Sequence, residues 1–236
     1  MKIVISQPMY FPWVGFISQI AMADIVVWLD DATFSKGSFT NRVQLKNQDT
    51  ISWLTIPLLN KGKNSLIGDL EPSCDSFVSL HKNKLENLLR SCTHKDDALD
   101  LFERTWLPSQ SLCQSIITST ELIIDELEIN RPQFLLSSTL PISSSGSQRV
   151  LEIVQHLGGK CYITGHGAKN YLQHEDFEKA RVDVEYMVYG PYQWPQQLGP
   201  FNPFVSSLDL IANVDACERK KCLHLKTQHW KKLKSN

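Results

Sequence analysis

The stretch Lys2-Ile3-Val4-Ile5-Ser6-Gln7-Pro8-Met9-Tyr10-Phe11-Pro12-Trp13-Val14-Gly15-Phe16, with Ile25-Val26-Val27-Trp28-Leu29-Asp30-Asp31 a few residues later, decides the fold. Lys2 to Ser6 is a short β-branched run ended by Gln-Pro, which reads as a buried strand entering a turn. From Gly15 to Ala23 the apolar residues Phe16, Ile20 and Ala23 recur at helical spacing, and Ile25 to Leu29 forms a second apolar strand. Strand, helix and strand make a βαβ unit, and such units are almost always parallel and right-handed.

Beyond Asp30-Asp31, the runs Asn41 to Lys46 and Ser52 to Ile56 flank Asn47-Gln48-Asp49-Thr50 as a hairpin. Helical periodicity dominates from Ser76 to Leu127, with breaks near Thr93-His94 and Pro108, so two or three packed helices are expected there as scaffold and lid. Strands are expected again at Phe134 to Ser137, Lys160 to Ile163 and Val182 to Met187, with a helix from Gln148 to Leu157. The expected fold is α/β: a Rossmann-like, mainly parallel sheet with a helical insertion and a short hairpin. Residues 1–72 form its first half, 73–130 the insertion, 131–215 the second half and 216–236 a basic terminal helix or tail, all in one compact unit.

The 236 residues are 42% hydrophobic, ample for a packed core and against disorder. No run approaches the roughly 18–20 apolar residues of a membrane span, and the start of the chain lacks a signal peptide's apolar core and cleavage site. The cytoplasm is the expected compartment. Six cysteines occur without a C-x-x-C pair, so no zinc or redox motif is visible; the identity of any cofactor is left open by the sequence. Net charge is only -1, yet Arg219, Lys220, Lys221, Lys226, Lys231, Lys232 and Lys234 follow Glu218 with no acidic residue among the later ones. Such a tail suits a polyanion (a sugar nucleotide, a membrane surface or an RNA) or a solvated terminal helix.

Ligands of open α/β sheets bind beyond the carboxyl ends of strands, so the loops there hold the candidate residues. The first loop carries Gln7, Tyr10 and Trp13 among rigid prolines, a stacking wall or else a hydrophobic plug. The second carries Asp30 and Asp31, which point to opposite faces so that at most one can act as base or ligand. Lys36, Asn41 and Arg42 follow and are suited to phosphate, unless the segment is only a solvated turn. The third, Ser143-Ser144-Ser145-Gly146-Ser147-Gln148-Arg149, opens a helix. Ser145, Ser147 and Arg149 suit an anion-binding turn, while Ser145 with Gln148 also fits a capping box. The fourth is Gly165-His166-Gly167, where an accessible imidazole between two glycines suits acid–base work. The aromatic run 189–204 supplies Tyr192, Trp194 and Phe201 for stacking or packing.

The residues Gln7-Pro8, Tyr10, Pro12-Trp13, Gly15-Phe16, Ala23-Asp24, Asp30-Asp31 and Asn41-Arg42 resemble the N-terminal signature of WbqC-like proteins. Leu157 to Gly165, Tyr171-Leu172, Tyr192-Gln193, Phe201 and Ser206-Ser207-Leu208-Asp209-Leu210 resemble that family's downstream blocks, so the likeness covers nearly the whole chain. What the resemblance implies is a part in bacterial surface-polysaccharide (O-antigen) biosynthesis, among enzymes that make nucleotide-linked sugars. A weaker analogy links the first βαβ unit to nucleotidylyltransferases, but Pro12-Trp13-Val14-Gly15 stands where their histidine motif would be.

The leading expectation is a transferase that moves an acyl or aminoacyl group, from an activated donor that can be RNA-borne, to a nucleotide-linked amino sugar. Arg149 and Arg42 would hold phosphate, with His166 or Asp31 as proton acceptor. Its rivals are a non-catalytic sugar-nucleotide binding or assembly protein and a nucleotidyltransferase-like enzyme.

Overall fold

A computed structural model describes residues 1–59, 65–190, 192–197 and 199–233. Lys234 of the basic tail and Pro191 of the aromatic run lie outside the described residues. The chain opens with strand β1 (Lys2–Ser6), helix α1 (Val14–Ile20) and strand β2 (Ile25–Trp28), then forms the hairpin β3 (Arg42–Asn47) and β4 (Thr50–Thr55). Three helices follow: α2 (Phe77–Leu88), α3 (Lys95–Arg104) and α4 (Leu112–Glu126). Strand β5 (Gln133–Leu136), helix α5 (Gly146–His156), strand β6 (Cys161–Thr164), helix α6 (His174–Lys179) and strand β7 (Asp183–Met187) complete the alternation. Helix α7 (Ser207–Asn213), helix α8 (Ala216–Arg219), strand β8 (Thr227–His229) and helix α9 (Trp230–Leu233) end it.

The main sheet runs β5-β2-β1-β6-β7-β8, parallel except for β8, which pairs antiparallel with β7. The hairpin stands apart as a two-stranded sheet. The chain winds outward from β1 through β2 to β5, then returns beside β1 and winds the other way through β6 and β7. The direction of winding therefore reverses between β1 and β6, the place where doubly wound sheets open a crevice at their carboxyl ends.

Alternation along the buried strands explains the layering. Val4, Val26, Trp28 and Ile163 face a core shared with α1–α4 and α7, whereas Ile3, Ile5, Val27 and Tyr162 face α5 and α6. A loop runs close over the second face at Gly159, where a Cβ would lie 2.5 Å from Ile3 Cδ1.

Three local expectations differ in the structure. Helix α5 starts at Gly146, in a left-handed conformation (φ 59°), and Ser145 makes no side-chain cap. Gln148 instead donates to Glu152 Oε1 at 2.8 Å, so the capping box does not form. The tail contains an edge strand, β8, that its polar sequence conceals. Its cations are largely engaged: Lys220 donates to Glu128 O, Lys221 pairs with Glu218, Lys231 pairs with Glu178, and Arg219 is fully buried. Helices α2–α4, expected as scaffold and lid, supply none of the residues that line the cleft over β1 and β6.

The loop after β1 is riveted to that scaffold. Phe11, itself at φ 41°, donates its amide to Ser119 Oγ at 3.1 Å and accepts from Ser206 Oγ at 2.8 Å. The hydroxyl of Ser207 donates to Pro12 O at 2.7 Å. A bulky residue at positive φ persists only where its surroundings over-determine it, so this loop is held in one shape.

Two buried titratable groups brace the same region with opposed pH dependence. His81 sits with Nδ1 2.9 Å from the Tyr10 hydroxyl; burial pushes its pKa down to about 4, against the backbone hydrogen bond at Thr55. Asp209 accepts from Trp194 Nε1 at 2.8 Å and Gln196 Nε2 at 2.9 Å; burial nevertheless pushes it up to about 6. As pH rises from about 4 to 6.5, the unfolded chain loses a histidine proton that the folded chain has largely given up by about pH 4, so His81 adds stability. From about 3.8 to 6 the folded chain keeps a proton on Asp209 that the unfolded chain releases, so stability is lost. The two slopes cancel in the wild type. Asp209→Asn removes one of them, so its stability relative to wild type should rise by about 1.5 kcal/mol between pH 4.5 and 6.0, at roughly 1.4 kcal/mol per proton and pH unit and with half the proton still held at pH 6.0. Urea unfolding at the two pH values measures this; parallel pH profiles for the two proteins would refute the assignment.

Candidate functional site

A cleft of about 930 Å³ opens over the carboxyl ends of β1 and β6, at the reversal of winding. Its floor and walls come from the segment after β1 (Ser6, Gln7, Met9, Trp13), the segment after β2 (Leu29, Asp31), the start of α5 (Ser145, Gly146, Arg149) and the segment after β6 (Gly165, His166, Gly167). Tyr189 and Phe204 close one side. Eight of the residues singled out from sequence thus lie on one surface: Gln7, Trp13, Asp31, Ser145, Arg149, Gly165, His166 and Gly167.

The acidic pair divides its duties. Asp30 turns inward, 9% exposed, and accepts from the Ser138 amide at 3.0 Å and the Ser138 hydroxyl at 2.5 Å. Asp31 turns toward the cleft and accepts from Arg149 Nη2 at 2.6 Å and from the Ser137 hydroxyl. Desolvation disfavours the Asp31 charge, but Ser137 and Arg149 outweigh it and hold the carboxyl below its usual range. Asp31 is therefore a charged anchor for the guanidinium and a weak base.

His166 is exposed on the rim, its ring centre 5.6 Å from that of Tyr189. Its Nε2 lies 2.8 Å from Met187 O. A carbonyl oxygen only accepts, so Nε2 carries the proton and Nδ1 keeps a lone pair able to take another.

At the start of α5, an 11-residue helix, the Ser145 hydroxyl is not engaged in capping, and Ser145, Gly146 and Arg149 line the cleft. Such termini favour anions through unpaired N–H groups and the helix dipole. Ser147 lies beside this point but turns away, its hydroxyl accepting from the Gln173 amide at 2.9 Å.

Besides Ser147, eight residues singled out from sequence do not line this cleft. Tyr10 is fully buried against His81, and Asp30 is occupied as above. Asn41 is buried, donating to Ile56 O at 2.9 Å, and Arg42 lies 4.4 Å over the Trp53 ring with Nη2 on Gly37 O. Lys36 is exposed on the loop before the hairpin. Tyr192 faces a neighbouring cavity. Trp194 and Phe201 pack edge-to-face at 4.7 Å, so they serve the core. Conversely, Gln19, Tyr162, Thr164, Tyr171, Tyr189 and Phe204 line the cleft without having been singled out for it. Gln19 carried a signal, a polar residue within an apolar helix; it is 4% exposed and donates to Ile163 O at 3.1 Å.

No group of three or more metal-binding side chains occurs among the described residues, and no helix there is long and apolar enough to cross a membrane.

Fold and cleft together define a doubly wound α/β protein with a cleft at the switch point of the sheet. The model of the WbqC-like protein family matches residues 7–221, and the chain belongs to that family. It is 26% identical over 219 residues to the uncharacterized protein Rv1507c of Mycobacterium tuberculosis, covering 91% of this chain and 94% of that one. No solved structure matches the chain.

Proposed function

We propose that this protein is a group transferase of surface-polysaccharide (O-antigen type) biosynthesis, moving an acyl or aminoacyl group onto the amine of a nucleotide-linked amino sugar. Membership of the WbqC-like family supports a biosynthetic role. The observation that carries the reading is the meeting, in one cleft, of an imidazole with a free Nδ1, an anchored guanidinium and an uncapped helix N-terminus. The second and third suit the phosphates of a sugar nucleotide. The first suits an amine that must lose a proton as it attacks.

In the step itself the sugar amine attacks the carbonyl carbon of a thioester or ester donor, which can be RNA-borne. The amide C–N bond forms and the bond to the carrier sulfur or oxygen breaks. His166 Nδ1 takes the amine proton and returns it to the departing carrier, so the enzyme ends as it began. Asp31 stays charged and keeps Arg149 in place.

Arg149→Ala should weaken binding of a nucleotide-linked amino sugar by at least about tenfold, the value of one charge-assisted hydrogen bond of roughly 1.5–3 kcal/mol. Lys36→Ala, outside the cleft, should leave affinity unchanged. Isothermal titration decides; equal affinity for wild type and Arg149→Ala would remove the phosphate site.

A further inference from the structure

Trp13, Tyr189 and Phe204 line the cleft and also one side of an adjoining cavity of about 250 Å³. Trp13 lies 4.8 Å from Tyr189 and 5.5 Å from Phe204, ring centre to ring centre. Its indole lies flat on the backbone at Gly15, where a Cβ would stand 2.2 Å from the ring. The far wall is Tyr192, Trp194 and His224, with Trp194 fixed by its bond to Asp209.

Two features mark this cavity as more than packing. Tyr192 and Phe204 remain 51% and 58% exposed, so aromatic surface converges on a concavity and faces water, as at ligand sites. Beside the aromatic rings, the cavity is lined by the imidazole of His224. The Ser18 hydroxyl is spent, donating to Val14 O and accepting from the His224 amide. The His224 Nε2 is buried and, among the described residues, has no hydrogen-bond partner. A heteroaromatic ring stacks through its faces and bonds through its edge, which suits an aromatic wall beside an imidazole better than an acyl chain does.

We propose that this cavity binds the heteroaromatic base of a nucleotide whose phosphates and sugar occupy the adjoining cleft. The base stacks on the aromatic wall at Tyr192 and turns its edge to His224. This proposal rests on the nucleotide-linked reading of the cleft and assigns the one part of that ligand the cleft leaves unplaced.

Wild type, Tyr192→Ala and His224→Leu are titrated calorimetrically with UDP, TDP, GDP and ADP, and with inorganic pyrophosphate as a probe lacking a base. Melting temperatures establish that each variant is folded; Tyr192 is exposed, so its truncation leaves the core intact. At least one diphosphate should bind wild type, and Tyr192→Ala should weaken it about 5- to 100-fold, the loss expected for one stacked base. His224→Leu should flatten the preference among bases, while pyrophosphate should bind wild type and both variants alike. Nucleotide affinity unchanged in both variants overturns the base site and leaves the nucleotide reading standing. Failure of all four diphosphates to bind wild type overturns both.

Discussion

His166→Ala should lower the rate of group transfer by about 10²- to 10⁴-fold, the usual contribution of a positioned general base. Its melting temperature should stay within a few degrees of wild type, because the side chain is on the exposed rim of the cleft and its one described hydrogen bond is to a backbone carbonyl. KM for the sugar nucleotide should change little, since the phosphates are assigned to Arg149 and the start of α5. An interaction made only as the amine loses its proton appears in kcat and not in ground-state binding. The Nε2 bond to Met187 O fixes which nitrogen works, so His166→Gln should not restore the rate even where its amide replaces that bond. Loss confined to KM, with kcat intact, would make His166 a binding residue and sink its role as base.

Arg219→Ala should cost about 3 kcal/mol of stability, the lower end of what removing one partner of a buried ion pair costs. The guanidinium is fully buried and touches four acceptors: Glu126, Asp97, Val214 O at 2.9 Å and Ile211 O at 3.0 Å. Deleting it leaves two carbonyls unmet within the core and two carboxylates facing a cavity. Those carboxylates are 45% and 27% exposed at Asp97 and Glu126, so water recovers part of their solvation and the loss stays below the maximum. At about 2–4 °C per kcal/mol for a chain of this size, the melting temperature should fall by about 6–12 °C. Arg219→Lys should recover little, because a single ammonium cannot span four acceptors arranged for a planar fork. A loss under about 1 kcal/mol would show that this cluster does not hold α8 to the helical layer.

These two residues also show what sequence can and cannot disclose. The strand-end rule needs only local patterns, which is why the positions of Gln7, Asp31 and His166 are legible from the runs Lys2 to Ser6, Ile25 to Leu29 and Lys160 to Ile163. Where the chain leaves regular structure, side-chain direction is set by distant partners. Tyr10 and Asn41 carry polar groups suited to a site, yet their partners, His81 and Ile56 O, take them into the core. Arg219 sits in a run of cations and reads as part of a basic patch, whereas Asp97 and Glu126, far away in sequence, draw it inside. β8 has three polar residues and becomes a strand only through its pairing with β7, a long-range event invisible in Thr227-Gln228-His229. Parts of the family signature also prove architectural: Ser206 and Ser207 hold the loop after β1, and Asp209 holds Trp194.

The central claim, that the cleft between β1 and β6 is a transferase site, is tested most directly by product mass. Wild-type protein is incubated with nucleotide-linked amino sugars and a panel of acyl thioesters and aminoacyl esters, including aminoacyl-RNA, and the mixtures are analysed by mass spectrometry. The account predicts that one acceptor gains the mass of one acyl or aminoacyl residue, with free carrier released in equal amount, and that His166→Ala suppresses both. Acceptors that bind saturably yet are recovered unchanged with every donor would contradict it and make the protein a carrier of sugar nucleotides.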